Sequence, residues 1–327
     1  MRADLALIGL GHVGRRFVDL LSERSARLTK DHRLTCRVAG TATRRQGAAY
    51  NGEACADVFD MIGRLAQSDA DLRIVVETTT LDVRDGEPAI SHVAAALEAG
   101  CHVVTANKGP VAFAYGRLRD AAARGGVAFL FEGAVMDGVP IFNLVRETLP
   151  VVEILGFEGV VNTTTNHIIT ALEGGDTFEN ALARMQAEGI AEADPSLDVD
   201  GWDAAAKTAA LANVLMDARI TPHDVRRQGL DAATGDAARA ARANGRRLKL
   251  VASARRDRTG RLACAVEPRE LPAAHLLANL DGGANALILE TDLLGRMAIC
   301  QLAGDLTQTA YALLTDIISV SRTHGHR

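Results

Sequence analysis

The stretch "ADLALIGLGHVGRRFVDLLSE", residues 3–23, decides the fold. It reads as a strand, a glycine turn and an amphipathic helix, with Gly9, Gly11 and Gly14 spaced as G-x-G-x-x-G between them. The first two glycines permit a tight turn and the close approach of a pyrophosphate; the third lets the helix pack on the strand. The helix start adds backbone amides and the positive end of its dipole. Gly9, Gly11, His12, Val13 and Gly14 are therefore candidate contacts for a dinucleotide cofactor. Alone the motif is weak, because a glycine-rich turn can be only a turn, so the surrounding pattern must carry it.

Outward from this turn the pattern repeats. Strand-like "LTCRVAGT", "LRIVVE", "HVVTA" and "VAFLFE" alternate with helical "DVFDMIGRLAQ", "EPAISHVAAALEAG" and "AYGRLRDAAARGG". Short apolar strands joined by crossover helices predict a parallel sheet covered on both faces, the Rossmann-like doubly wound α/β layout. After about residue 140 the pattern changes. "VVEILGFEGVVNTTTNHIIT" reads as strand-like, and helical stretches follow near residues 178–188 and 200–216. "RRLKLVASARR", "RLACAVEPRE", "NALILETDLLG" and "RMAICQLAG" then read as strands joined by turns. These predict an α+β domain with a mainly antiparallel sheet over 141–304, following a dinucleotide-binding domain over 1–140. The last helical segment, within 305–327, is expected to pack back on the first domain.

Composition narrows the partners. Charged residues are 24% and hydrophobic ones 48%, the balance of a soluble globular chain. Aromatic residues are only 4% and the net charge is −5, which argues against nucleic acid and anionic membranes. No apolar run approaches the ~20 residues that span a bilayer. The five cysteines form no CxxC pair, which suits reduced thiols in the cytoplasm. The alanine-rich helices of the second half suggest self-association, as a homodimer.

Three places carry candidate chemistry. Where an NAD site usually presents an acid after the second strand, this chain has Arg44 and Arg45. Arginine suits the 2′-phosphate of NADP, which makes NADP the preferred cofactor and NAD the alternative. A solvated surface pair is the bland reading of the same residues. Lys108, in "ANKGP", stands just beyond a parallel strand, the edge where such sheets bind ligands, although lysine is most often a surface residue. Finally, "GIAEADPSLDVDGWDAAAK", residues 189–207, sets five carboxylates ahead of one lysine. Asp203 and Lys207 are four apart on a predicted helix and hence neighbours, in surroundings rich in alanine. A lysine there could protonate a carbonyl oxygen as hydride reaches its carbon, while Glu192, Asp198 and Asp203 hold a cationic amine. A purely structural ion pair is the competing reading.

With the glycine turn, "ANKGP", "VVNTTTN", "AEADPSLDVDGWDAAAK" and "GDLTQTA" in view, the chain resembles the homoserine dehydrogenases over nearly its full length. The resemblance implies reduction of aspartate 4-semialdehyde to homoserine with NAD(P)H, in threonine and methionine biosynthesis, by a dimer. It makes Lys207 and Lys108 the catalytic lysines, with Asp203 orienting Lys207 and the substrate. Glu192 and Asp198 then match positions that bind the amino end, and Thr164 one near the polar groups. Thr78, Thr79, Ala106 and Lys108 fall where the family meets the cofactor, and Gly304 lies in a loop similar to the one touching the nicotinamide. "EGAVMDGVP" resembles a segment that binds a monovalent cation, Na+, through backbone carbonyls near Glu132, Val135, Asp137 and Val139.

The chain also departs from the family. Thr163 stands where glycine is usual, adding bulk and losing any glycine-only backbone angle. Reduced glycine content in "EGAVMDGVP" counts against the cation, and "GDLTQTA" lacks much of the usual glycine-rich character. No regulatory domain is expected after residue 327. These departures leave two alternatives: a dehydrogenase of another amino-acid-derived aldehyde or ketone, and a non-catalytic NADP-binding regulatory protein.

Overall fold

The computed structural model describes residues 1–187 and 194–324. The chain divides into two compact units: Met1–Leu144 with the segment from Asp305 on, and Val145–Gly304.

The first unit runs β1 (Arg2–Ile8), α1 (His12–His32), β2 (Thr35–Thr43), β3 (Gly47–Tyr50), β4 (Glu53–Cys55), α2 (Val58–Ala66), β5 (Leu72–Glu77), α3 (Ala89–Glu98), β6 (His102–Thr105), α4 (Lys108–Gly125) and β7 (Phe129–Leu130). Its sheet has the order β4-β3-β2-β1-β5-β6-β7, with β2, β1, β5, β6 and β7 parallel. Central β1 is buried from Ala3 to Ile8, which explains why it reads as a nearly unbroken apolar run. The chain leaves β1 for one side and later returns to the other through β5. The crevice beside Gly9 is thus the switch point where such sheets take ligands.

One element departs from the predicted alternation. β3 and β4 extend the sheet as antiparallel strands. Their turn is Asn51-Gly52, with φ of 50° and 85°, and Asn-Gly is favoured where both residues of a hairpin turn need positive φ.

Two single-turn 3₁₀ segments, Glu132–Ala134 and Met136–Gly138, lead to α5 (Phe142–Thr148). In the second unit follow β8 (Ile154–Val160), α6 (Thr163–Glu173), α7 (Phe178–Ala187), α8 (Ser196–Val199), α9 (Trp202–Leu215), β9 (Arg226–Arg227), α10 (Thr234–Ala243), β10 (Arg246–Arg256), β11 (Leu262–Pro272), β12 (Asn285–Thr291) and β13 (Gly295–Gln301). The order β13-β12-β8-β10-β11-β9 is antiparallel except at the β11–β9 pair. The strand-like reading of "VVEILGFEGVVNTTTNHIIT" is corrected here, because strand ends at Val160 and helix begins at Thr163. Asn162 makes the break: its Oδ1 accepts the Thr165 N–H at 2.9 Å, an N-cap bond that starts a helix.

The final helix, α11 (Leu306–His324), belongs to the first unit. Its Ala310, Leu313, Leu314, Ile317 and Val320 share one core with Leu5 and Leu7 of β1 and Phe17, Leu20 and Leu28 of α1. Among the described residues no helix is long and apolar enough to cross a membrane.

Candidate functional site

In the first unit the glycine turn is built by close approach. Gly9 has φ of +94°, and a Cβ there would lie 2.8 Å from the Thr78 backbone. A Cβ on Gly14 would lie 2.6 Å from the Gly9 carbonyl oxygen, so only glycine lets α1 start this near the strand. Gly11, by contrast, faces open space: no atom would stand within 4 Å of its Cβ. That is the arrangement a bound phosphate needs, with tight packing behind the turn and room in front. The ends of neighbouring strands hold the turn in place. Gly9 N–H donates to the Ala42 carbonyl at 2.9 Å, and the Thr78 hydroxyl donates to the Gly9 carbonyl at 2.8 Å.

A cleft of about 1370 Å³ opens in front of this turn, and Gly9, Gly11, Arg44, Arg45, Thr78 and Thr79 are among its lining residues. Arg44 and Arg45 sit in the turn between β2 and β3, ordered by the Gln46 N–H donating to the Thr43 hydroxyl at 3.0 Å. Among the described residues neither guanidinium has a carboxylate partner. The residues fit a dinucleotide: glycines at the phosphate end, an unshielded positive turn at the end of β2, and threonines after β5. His12 and Val13 open α1, with Gly11 as its N-cap. Ala106 and Lys108 flank Asn107, whose Oδ1 accepts the Gly109 N–H at 2.8 Å, so Lys108 is the first residue of α4. None of these four lines the cleft with the glycines. Gly304 is exposed on the link into α11.

The segment after β7 is tied down differently. Glu132 is buried, and its carboxylate accepts the backbone N–H groups of Ile141, Phe142 and Asn143 at 2.7, 2.9 and 2.6 Å. Val135 is buried, and Met136, Asp137 and Gly138 have left-handed φ of 51°, 50° and 86°. The Val139 N–H closes the turn onto the Met136 carbonyl at 3.0 Å.

In the second unit three segments meet. Asn162 Nδ2 donates to Asp198 Oδ1 at 2.7 Å and to Asp203 Oδ2 at 2.8 Å. Lys207 Nζ lies 2.9 Å from that same Asp203 oxygen and donates to the Val161 carbonyl at 2.7 Å. The Asp203 and Lys207 side chains are each 14% exposed, and Ala204, Ala205, Ala206, Ala209 and Ala210 around them are buried. A pair this sheltered must be satisfied or used. Two carboxylates against one ammonium leave the cluster net negative, which suits a cationic amine.

Thr164 is buried in the first turn of α6, and Thr163 accepts a hydrogen bond from Asn285 Nδ2 at 3.1 Å. Thr163 has no positive φ, so its backbone needs no glycine. Glu192 lies outside the described residues. Asn162 is the member that sequence reasoning missed. An Asn directly before a helical run is an N-cap signal and could have marked the position.

The homoserine dehydrogenase family matches residues 140–318, and the homoserine dehydrogenase NAD-binding domain matches residues 9–132. The chain is 36% identical to the NAD(+)-dependent homoserine dehydrogenase of Pseudomonas canavaninivorans, over 98% of this chain and 96% of that one. It is 33% identical to the homoserine dehydrogenase of Methanocaldococcus jannaschii, over 97% and 98%. A solved homoserine dehydrogenase from Thiobacillus denitrificans superposes with a TM-score of 0.87 at 31% identity, covering 99% of this chain and 74% of that chain.

Proposed function

The chain belongs to the homoserine dehydrogenase family, nicotinamide-dependent oxidoreductases acting on CH–OH, and we propose that its Lys207 is the proton donor and acceptor of that reaction. The observation that supports this most is the Asp198–Asn162–Asp203–Lys207 cluster. A bound nicotinamide nucleotide supplies or removes the hydride at the substrate carbon. Lys207 gives its proton to the aldehyde oxygen of L-aspartate 4-semialdehyde as the alcohol forms, and takes it back in the reverse direction. Asp203 holds the ammonium in place, while Asp198, Asp203 and Glu192 bind the amino group. Thr164 stands beside the substrate's polar groups. Lys108 neutralises the substrate carboxylate or shares proton transfer.

Residues 1–140 with the final helix form the dinucleotide-binding domain, and 141–304 the substrate-binding and dimerisation domain. Gly9, Gly11, His12, Val13 and Gly14 hold the pyrophosphate, with Thr78, Thr79, Ala106 and Gly304 as further cofactor contacts. NADP is the preferred cofactor. The similar Pseudomonas protein is named for NAD+, but here the turn after β2 offers two guanidiniums that have no carboxylate partner among the described residues, and no acid to hold ribose hydroxyls. A monovalent cation at carbonyls of Glu132, Val135, Asp137 and Val139 is a further part of the reading. The left-handed turn supports it by drawing peptide groups together. The Glu132 carboxylate is already committed to three amides, so the donors left are those of a weakly charged site. All five cysteines are free, which supports a cytoplasmic setting, and a homodimer is the assembly proposed.

The test is purified protein with aspartate 4-semialdehyde and NADPH, followed by loss of the reduced-nicotinamide absorbance, with NADH in parallel. Rapid NADPH oxidation is expected; cofactor binding without oxidation would overturn the substrate. In that case the Thr163 hydroxyl, held toward Asn285, favours a different amino-acid-derived carbonyl. A panel of aldehydes with the protein and with Thr163→Gly would then show whether the ranking changes.

A further inference from the structure

Glu77, the last residue of β5, is fully buried directly before the two threonines that line the cleft. Its Oε1 accepts the Thr79 N–H at 2.8 Å and also the Thr79 hydroxyl. Its Oε2 accepts the Thr105 hydroxyl at 2.7 Å. Each hydroxyl, having donated its hydrogen to the carboxylate, can only accept from its other neighbour. In both cases that neighbour is Asn107. Its N–H donates to Thr105 Oγ1 at 2.9 Å, and its Nδ2 donates to Thr79 Oγ1 at 3.2 Å. Asn107 Oδ1 in turn accepts the Gly109 N–H at 2.8 Å and starts α4 at Lys108. Two chains of hydrogen bonds therefore run from one asparagine to one carboxylate. Both keep a consistent direction only because their end is an acceptor. On the other side, the neighbouring Thr78 holds the Gly9 carbonyl.

We infer that Glu77 is a positioning residue for the cofactor cleft and for Lys108. It fixes the hydroxyls of Thr79 and Thr105, and through them the Asn107 turn. Burial pushes the Glu77 carboxyl above the usual range, while its Thr79, Thr105 and Asn107 partners pull it down. A carboxylate placed there without those donors would be strongly disfavoured. The donors and the carboxylate thus require one another, and of the two loops that carry the donors the one after β5, with Thr79, lines the cleft, while the one after β6 is tied to it through Asn107 Nδ2 and Thr79 Oγ1.

This rests on the dehydrogenase reading only for its kinetic arm, since cofactor affinity is measured without substrate. The variants are Glu77→Gln, Thr105→Val and Thr105→Ser, each with its thermal midpoint, cofactor Kd by fluorescence titration, kcat, and KM for homoserine. In Glu77→Gln an amide donor faces a hydroxyl donor; in Thr105→Val one chain is cut with little change of shape. Both are expected to raise cofactor Kd and lower kcat by about tenfold, with any rise in homoserine KM reporting the displacement of Lys108. Thr105→Ser restores the hydroxyl and is expected to restore both values. The paired Glu77→Gln/Thr105→Val variant is expected to do less harm than the two effects combined, as residues in one network do. A lowered thermal midpoint with Kd and kcat unchanged would overturn the inference, as would full additivity. If Glu77→Gln does not fold, the Thr105→Val and Thr105→Ser comparison decides alone. Failure of the wild type to turn over homoserine would remove the dehydrogenase reading and leave the Kd comparison standing.

Discussion

Asn162 Nδ2 and Lys207 Nζ converge on one atom, Asp203 Oδ2, at 2.8 and 2.9 Å. The asparagine donates from the start of α6 and the lysine from one turn further along α9. Asp203 is therefore oriented from two elements and cannot rotate without losing a partner. Asn162 also reaches Asp198 on α8, so a single side chain registers two acids. A charged group held this way needs no reorganisation when a substrate arrives, which is the condition under which polar groups contribute most to catalysis.

Lys207→Ala removes the ammonium and leaves Asn162 to hold Asp203. Turnover is expected to fall at least ~10²-fold, the range for loss of a general acid. Cofactor Kd, set in the other unit, is expected to stay within about twofold. Steady-state kinetics with a separate cofactor titration checks this. Unchanged turnover would remove Lys207 from its proposed role.

Asn162→Ala combines two losses. The α6 N-cap disappears, worth about 1 kcal/mol of stability. Asp198 and Asp203 also lose their common donor, so homoserine KM is expected to rise by about tenfold or more. Denaturant unfolding and kinetics on the same sample separate the two. A stability loss with KM unchanged would mean that Asn162 serves the helix alone.

Much of the fold could be read in advance because its signals are local. Leu5–Ile8 followed by glycines at 9, 11 and 14 is a strand and a turn within ten residues, and β1 is buried on both faces as an unbroken apolar run must be. The β3–β4 hairpin is equally local, in Asn51-Gly52, but its strands of four and three residues are too short to stand out beside the βα alternation. Residues 162–166 misled for a different reason. Threonine-rich stretches favour strand, and the preference gives way once Asn162 caps a helix that packs against its own unit. The Asp203–Lys207 pair could be seen from its spacing of four. Its link to Asp198 through Asn162 could not, since that contact spans 36 residues and depends on how α6, α8 and α9 pack. Glu77 was invisible for the same reason: an acid at a strand end looks like surface charge until Thr105 and Asn107 are brought over it.

Acid sensitivity should arise in part on β1. Asp4 is fully buried and bridged by the Arg37 guanidinium at 3.0 and 2.6 Å and by the Ser68 hydroxyl at 2.6 Å. The Arg37 hydrogen bonds hold its carboxyl below the ordinary 3.8, against the opposing effect of burial. A depressed folded value means that the stabilisation is fully present above the unfolded value and is lost as pH falls through the folded one. Arg37 is half exposed, so Asp4→Asn is expected to cost about 1–2 kcal/mol at neutral pH. The gap to wild type should shrink on acidification below 3.8. Urea unfolding of both proteins across that range tests it. A gap that persists at the acid end would assign the effect to packing.

Cofactor choice gives the last test. Arg44 and Arg45 lie in a turn that presents no acid, at the end of the strand where the adenosine ribose of such folds is read. A guanidinium to 2′-phosphate contact is a charge-assisted hydrogen bond, worth roughly 1.5–3 kcal/mol. Replacing Arg44 by Ala should then raise the KM for NADPH by about tenfold or more, and replacing both arginines should raise it further. The KM for NADH should change by less than about twofold, because NADH has no phosphate at that position. The ratio of kcat/KM for the two cofactors is the quantity to measure, since a general loss of folding lowers both alike. If the double variant leaves that ratio unchanged, the arginines are a solvated pair, and the preference, whichever way it runs, is set elsewhere in the cleft.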